Sequence, residues 1–241
     1  MMVRTHYEVG QTALTVICDD SYLDTVRNAV FDARGIVEAK IAEDPFFGVT
    51  YDPYPVNDDD DPLIVMMCQA SAKAGVGPMA GVAGAIARYA VSKAVSEGCE
   101  HIIVENGGDI AMHTCQTVNI GIYAGEEGFR DVALEMEPAG GIYGVCSSSG
   151  KVGPSVSFGS SGICTVFSED TVLADCCATA LGNMIRTGSR KEMSDSCERI
   201  CSIDGVDGCI CVCGGSVAMC GTVPRLVRGG FGDDRLTGIR L

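Results

Sequence analysis

No apolar run in this 241-residue chain approaches the roughly 20 residues that span a bilayer, so no membrane-spanning helix is expected. The opening stretch, residues 1–20, carries His6, Glu8, Asp19 and Asp20 and lacks the unbroken apolar centre of a secretion signal. A soluble, cytoplasmic protein is the expectation. Basic residues are scarce, 17 Lys and Arg against 32 Asp and Glu, and the formal charge is −15. Such a balance repels phosphate backbones and anionic lipid, which excludes nucleic acid and membrane surfaces as partners. The three histidines, His6, His101 and His113, are too few and too scattered for a histidine site, and structural roles are expected for them. Also missing, despite 14 cysteines, is any Cys-x-x-Cys pair, so neither zinc nor an iron–sulfur cluster is expected.

What the chain does have is a core. With 46% hydrophobic residues it can bury a substantial interior in one compact domain, in which residues 1–62 pack as a hairpin, helix and acidic loop on a main unit of residues 63–241. Disulfide frameworks belong to short secreted domains, so the cysteines are expected as free thiols. Cys209, Cys211 and Cys213 alternate with Ile210 and Val212, and after Gly214-Gly215 the run continues to Cys220. This pattern predicts a hairpin that uses cysteine as a small buried hydrophobe.

Along the chain, residues 3–9 and 12–18 flank Gly10-Gln11 as an opening hairpin, and Leu23, Val26, Val30, Ala33 and Val37 follow at helical spacing. Gly35 is a point where that helix would bend or divide. Residues 44–62 hold four prolines and the run Asp58-Asp59-Asp60-Asp61, which predicts an exposed, solvated loop. Residues 63–71 read as an apolar strand, followed by Gly75-Val76-Gly77-Pro78 and a small-residue helix over 79–97. Gly75-x-Gly77-x-x-Ala80 partly imitates a dinucleotide fingerprint, and helix N-terminal amides favour anions. Close packing of the glycines is the competing reading, and Pro78 removes one amide donor.

Residues 101–105 read as a strand running into Asn106-Gly107-Gly108-Asp109, where the glycines let backbone approach a ligand. Short runs near 110–113, 118–122, 132–135 and 141–146 then suggest an antiparallel meander. It ends in Ser147-Ser148-Ser149-Gly150, a polar loop that would hold a phosphate or simply turn. A second such loop, Gly159-Ser160-Ser161-Gly162, precedes a strand at 163–167 and a helix at 169–186 with Ser168 as N-cap. On that helix Asp175 and Thr179 stand four residues apart, so their oxygens share a face and suit a hard cation. Solvation of Asp175, or its pairing with a base, is the plainer alternative.

In this order the motifs resemble those of the ApbE-like proteins, the superfamily of FAD:protein FMN transferases, over about residues 63–220, and more narrowly its compact branch. The resemblance implies a mixed α/β, α+β architecture related to the T-fold, with a predominantly antiparallel sheet and packed helices. It further implies Mg2+ held by Asp175, Thr179 and a backbone carbonyl near Ala80, and FAD or another nucleotide lined by Asn106, Gly107, Gly108, Asp109, Ser148, Ser149 and Gly150. The chain departs from the family in two places. It has no lysine counterpart in residues 79–84, and no His-x-x-Asp-Pro follows the serine–glycine loop. The resemblance therefore carries nucleotide binding further than it carries FMN transfer. Near the C-terminus, Asp234-Arg235-Leu236-Thr237-Gly238 is similar to the core of a flavinylation target but is read as a terminal turn.

Two other functions stand beside this one. Compact relatives are linked to sulfur assimilation into homocysteine, which implies a sulfur metabolite or thiol-redox chemistry, with Cys176 and Cys177 as reactive thiols beside the metal. A non-catalytic ligand-binding scaffold is the third reading. A homodimer is expected from the glycine-rich strands and apolar composition.

Overall fold

The computed structural model describes residues 1–9, 12–122, 131–149 and 162–229. Strands β1 (Met2–Val9) and β2 (Thr12–Asp19) pair antiparallel, and alternation in β2 sends Leu14, Val16 and Cys18 into the core. Helix α1 (Leu23–Glu43) buries Val26, Ala29, Val30, Ala33 and Val37 along one stripe. It runs unbroken through Gly35, so the helix does not divide there. A lone glycine costs a helix only about 1 kcal/mol, which the apolar stripe on either side outweighs.

The main correction concerns residues 63–71, which form the body of helix α2 (Pro62–Ala74) and not a strand. Asp61 caps it by accepting the Leu63 amide at 2.8 Å, Pro62 occupies the first turn, and Gly75, at φ 71, ends it. Leu63, Ile64, Met67, Cys68 and Ala70 are buried while Val65 and Met66 are partly so, and such all-round apolarity hides helical periodicity. Without a preceding strand, Gly75-x-Gly77 has no dinucleotide-binding framework. Gly77 serves packing instead, because a Cβ there would lie 1.9 Å from the Thr50 carbonyl oxygen.

After a 3-10 turn, Pro78–Gly81, come α3 (Val82–Ser96), β3 (Ile102–Asn106), β4 (Asp109–His113), β5 (Val118–Gly121), β6 (Val132–Met136) and β7 (Tyr143–Ser148). They are followed by β8 (Ile163–Ser168), α4 (Thr171–Met184), α5 (Arg190–Cys201), β9 (Gly208–Cys213), β10 (Ser216–Gly221) and β11 (Arg225–Arg228). Among the described residues the strands form an eight-stranded sheet, β1-β2-β3-β4-β7-β8-β9-β10, and a three-stranded sheet, β11-β6-β5. Every pairing is antiparallel.

The large sheet separates two apolar clusters. Val16, Val104, Cys146, Val166 and Cys211 face the helices, whereas Ile110, Val145, Phe167, Ile210 and Val212 meet Leu134 and Met136 of the small sheet. The layers are therefore helices, large sheet and small sheet, which is the α+β arrangement expected. Residues 1–62 share this interior, since β2 pairs with β3 and α1 packs on α3. Among the described residues no helix is long and apolar enough to cross a membrane.

Other local expectations change. Ser147 and Ser148 close β7 and are not loop. The N-cap of α4 is Asp170, which accepts the Val172 and Leu173 amides, while Ser168 donates its hydroxyl to the Gly205 carbonyl at 2.6 Å. Helix α5 was not anticipated, although its Ser-x-x-Glu start is legible: Ser189 accepts the Glu192 amide as N-cap, and Glu192 accepts the amides of Arg186, Thr187 and Gly188 just before it. The acidic run is not wholly solvated. The Asp60 side chain is 3% exposed and lies 2.7 Å from Lys40 Nζ, itself 7% exposed. All the cysteines are free, and in β9 the thiols of Cys209, Cys211 and Cys213 face the helices as the alternation predicts. Gly10-Gln11, Gly150, Gly159-Ser160-Ser161 and the Asp234–Gly238 motif lie outside the described residues.

Candidate functional site

Two buried carboxylates meet between the large sheet and the helices. Asp109 opens β4, directly after Gly107 and Gly108, whose φ angles of 65° and 107° make the two-residue turn that glycine permits. Across that turn Asn106 pairs with Asp109, and both face the helices. Asn106 Nδ2 donates to the Ala83 carbonyl at 3.1 Å, which ties the hairpin to the first turn of α3. From the other side, Asp175 in the second turn of α4 accepts the Gly84 amide on Oδ2 at 2.7 Å. Residue 84 is glycine because a Cβ would sit 2.8 Å from the Thr171 carbonyl oxygen and 2.9 Å from Asp175 Cβ. The N-terminal end of α3 thereby reaches both acids' neighbourhood.

Burial sets the charge state here. It pushes Asp109 up to about 7, with the Ser147 amide, 3.3 Å from Oδ1, pulling the other way. Asp175 is raised well above the carboxylate range, first by burial and then by the charge of Asp109, against the amides of Gly84 and Ala83. Two such carboxyls in contact retain a proton near neutrality unless a cation takes its place. Cys146, opposite Asp109 across β4 and β7, is also pushed up by burial, and its thiol donates to the Thr171 carbonyl at 3.4 Å.

The structure thus unites Asn106, Asp109 and Asp175, and it sets Ser148, buried, on the same face of β7 as Cys146. Thr179 lies one helical turn beyond Asp175 and is half-buried. Ala80, also half-buried, lies in the 3-10 turn one helical turn before Gly84. Ser149 donates its hydroxyl to the Gly162 carbonyl at 2.7 Å. The roles of the Ala83 carbonyl, the Gly84 amide and the Cys146 thiol were not read from the sequence. Only the glycine and alanine run of α3 hinted at so close an approach of α3 to α4. Two of the histidines make structural contacts: His6 Nδ1 lies 3.0 Å from the Thr15 hydroxyl, and His113 Nδ1 lies 3.1 Å from the Gly141 carbonyl.

The reactive-thiol expectation for Cys176 and Cys177 meets opposing physics. Both are fully buried, and burial raises Cys176 far above the ordinary thiol range and Cys177 to about 12. A thiolate is disfavoured at both positions. Disulfide-exchange labelling of the native protein should modify the exposed Cys115 first and the half-buried Cys201 and Cys220 more slowly. Cys176 and Cys177 should react only on unfolding, which mass spectrometry of the labelled peptides would check; early labelling at either would contradict this.

A family model described as AbpE bacteria matches residues 2–202. The chain belongs to this AbpE bacteria family. It is 41% identical over 239 residues to the UPF0280 protein of Methanothrix thermoacetophila, covering 98% of this chain and 99% of that protein. It is 40% identical over 237 residues to the UPF0280 protein of Methanocella arvoryzae, covering 98% and 96%. Among solved structures, this AbpE bacteria chain is similar to the flavinyl transferase ApbE of Pseudomonas stutzeri in its apo form. The TM-score is 0.58 at 12% identity, over 92% of this chain and 94% of that one. The flavin transferase ApbE of Vibrio cholerae gives 0.58 at 11% identity, over 91% and 96%. At such identities the likeness shows the fold, which is the ApbE-like architecture expected.

Proposed function

We propose that this protein binds a flavin dinucleotide, FAD, together with a divalent cation at the Asp109–Asp175 pair. The observation that carries the reading is the contact of two buried carboxyls beside the N-terminal end of α3. Their oxygens form a hard donor set of the kind magnesium selects, and a cation would relieve the crowding that otherwise keeps a proton in the site. The residues present therefore fit the metal. Asp109 and Asp175 would hold it, with the Thr179 hydroxyl and the Ala80 carbonyl as the family resemblance implies. Bound there, magnesium would neutralise pyrophosphate oxygens and so favour their cleavage.

The chain's own groups support that task. The Gly84 amide fixes the Asp175 carboxylate on one side, and the Ser147 amide steadies Asp109 on the other. Asn106 keeps α3 against the hairpin. The Gly107-Gly108 turn, with no Cβ at either position, would let backbone amides approach a nucleotide. Ser148 and Ser149 would supply hydroxyls to a phosphate.

Titration calorimetry of FAD into the protein tests this, with magnesium and with chelator, followed by chromatography of the nucleotide and mass spectrometry of the protein. Binding is expected with magnesium and is expected to be lost in chelator. Release of FMN or AMP, or a mass gain equal to FMN, would extend the reading to transfer. Failure of FAD to bind folded protein in magnesium would end it.

A further inference from the structure

Among the described residues the large sheet ends in two edges of different character. One is β1, which carries Arg4, His6 and Glu8. Charges along an edge deter pairing with another chain. The other edge is β10, Ser216-Val217-Ala218-Met219-Cys220-Gly221, which has no acidic or basic residue, no proline and a regular in–out alternation. Its inner face packs on α5, and its outer face continues the buried row of the neighbouring strand, with Val217 opposite Val212 and Met219 opposite Ile210. The row does not end at the sheet's buried part. Val217 is 40% exposed and Met219 52%.

Charge identifies the occupant. The chain as a whole has 17 basic against 32 acidic residues, so two copies repel each other over most of their surface. The β10 corner is free of that excess. The strand is neutral, and α5 balances Arg190, Lys191 and Arg199 against Glu192, Asp195 and Glu198. A neutral edge backed by a two-signed helix fits a surface of the same composition.

We infer that β10 pairs antiparallel with β10 of a second copy of this chain, about a two-fold axis through Ala218 perpendicular to the sheet. This goes beyond the ligand reading and is independent of it. In that register Val217 of each copy faces Met219 of the other, and Ser216 faces Cys220. Four apolar side chains then form one patch on the outer face, and the outward amides and carbonyls of the two strands become partners. Both α5 helices come to lie on the same side of the joined sheet and antiparallel, which sets the basic start of each toward the acidic later turns of the other. Because the contact is isologous it closes at two chains.

Light scattering on the size-exclusion eluate of the full chain tests the inference. Wild type is expected at twice the chain mass of 25.1 kDa. Met219→Lys, at an exposed position, should keep the wild-type far-ultraviolet circular dichroism yet weaken association by roughly tenfold or more, giving the single-chain mass on dilution. Val217→Lys should act likewise, and Met2→Lys on the opposite edge should change nothing. Hydrogen exchange should show protected amides in β10 of wild type that exchange faster in Met219→Lys. A wild-type protein of single-chain mass would overturn the inference. So would a dimer that survives both lysine variants, or open-ended growth that Met2→Lys stops, since that would mean β10 pairing with β1.

Discussion

Asp175→Ala is expected to lose magnesium-dependent FAD binding by about 100-fold or more, because it removes one of the two carboxylates that meet in the site and leaves the Gly84 amide without its acceptor. Asp109→Asn should abolish cation dependence as well, yet it should have the opposite effect on the metal-free fold. Asp109 rises from 3.8 to about 7 on folding, so the folded chain binds its proton more tightly than the unfolded chain does. Stability is therefore fullest below the unfolded value and falls as pH rises toward the folded one. The penalty at pH 8 is on the order of a few kcal/mol, and asparagine escapes it. Thermal unfolding in chelator should show Asp109→Asn melting above wild type at pH 8, with the gap closing toward pH 4. Magnesium should raise the melting temperature of wild type alone. If the variant were less stable than wild type at pH 8 in chelator, the two carboxyls would not be in conflict and the cation argument would lose its basis.

Gly77→Ala is expected to be the most destabilising conservative change near the candidate site, and for a reason unrelated to ligand. The added methyl would fall 1.9 Å from the Thr50 carbonyl oxygen and 3.1 Å from Tyr51 Cα, both main-chain atoms that no rotamer change can move. Either the 44–62 loop or the turn before α3 must shift, at about 3 kcal/mol or more. For a chain of this size that lowers the melting temperature by roughly 10 °C. FAD affinity, measured well below the transition, should stay close to wild type. A large loss of affinity with unchanged melting would restore the phosphate-cradle reading of Gly75-x-Gly77.

Much of the architecture was legible because its signals are local. The alternation of Cys209–Cys213, the Gly214-Gly215 turn and the strand ending in Asn106 each state their geometry within a few residues. Residues 63–71 misled because a helix buried on nearly every side loses its period, and only Asp61-Pro62 gave it away. The site shows the same division. Asp109 and Asp175 stand out by motif, but their contact depends on three elements converging. Nothing between residues 84 and 175 announces that the Gly84 amide would reach across 91 positions to a carboxylate. The thiols of Cys176 and Cys177 look exposed to chemistry in sequence, and only the packing of α4 shows them enclosed.

The thiol-lined helix face of the sheet also governs how the protein unfolds. Cys164 and Cys211 lie directly opposite each other with sulfurs 3.5 Å apart, and Cys201 and Cys209 lie 3.6 Å apart. Packing keeps Cys164, Cys209 and Cys211 out of reach of oxidants, so the native state shields most of its own redox chemistry. Once the layers separate, that shield disappears and cross-links form at random among fourteen equivalent groups. In air, then, denaturation becomes a one-way passage whose rate, and not its equilibrium, sets the working lifetime of the protein.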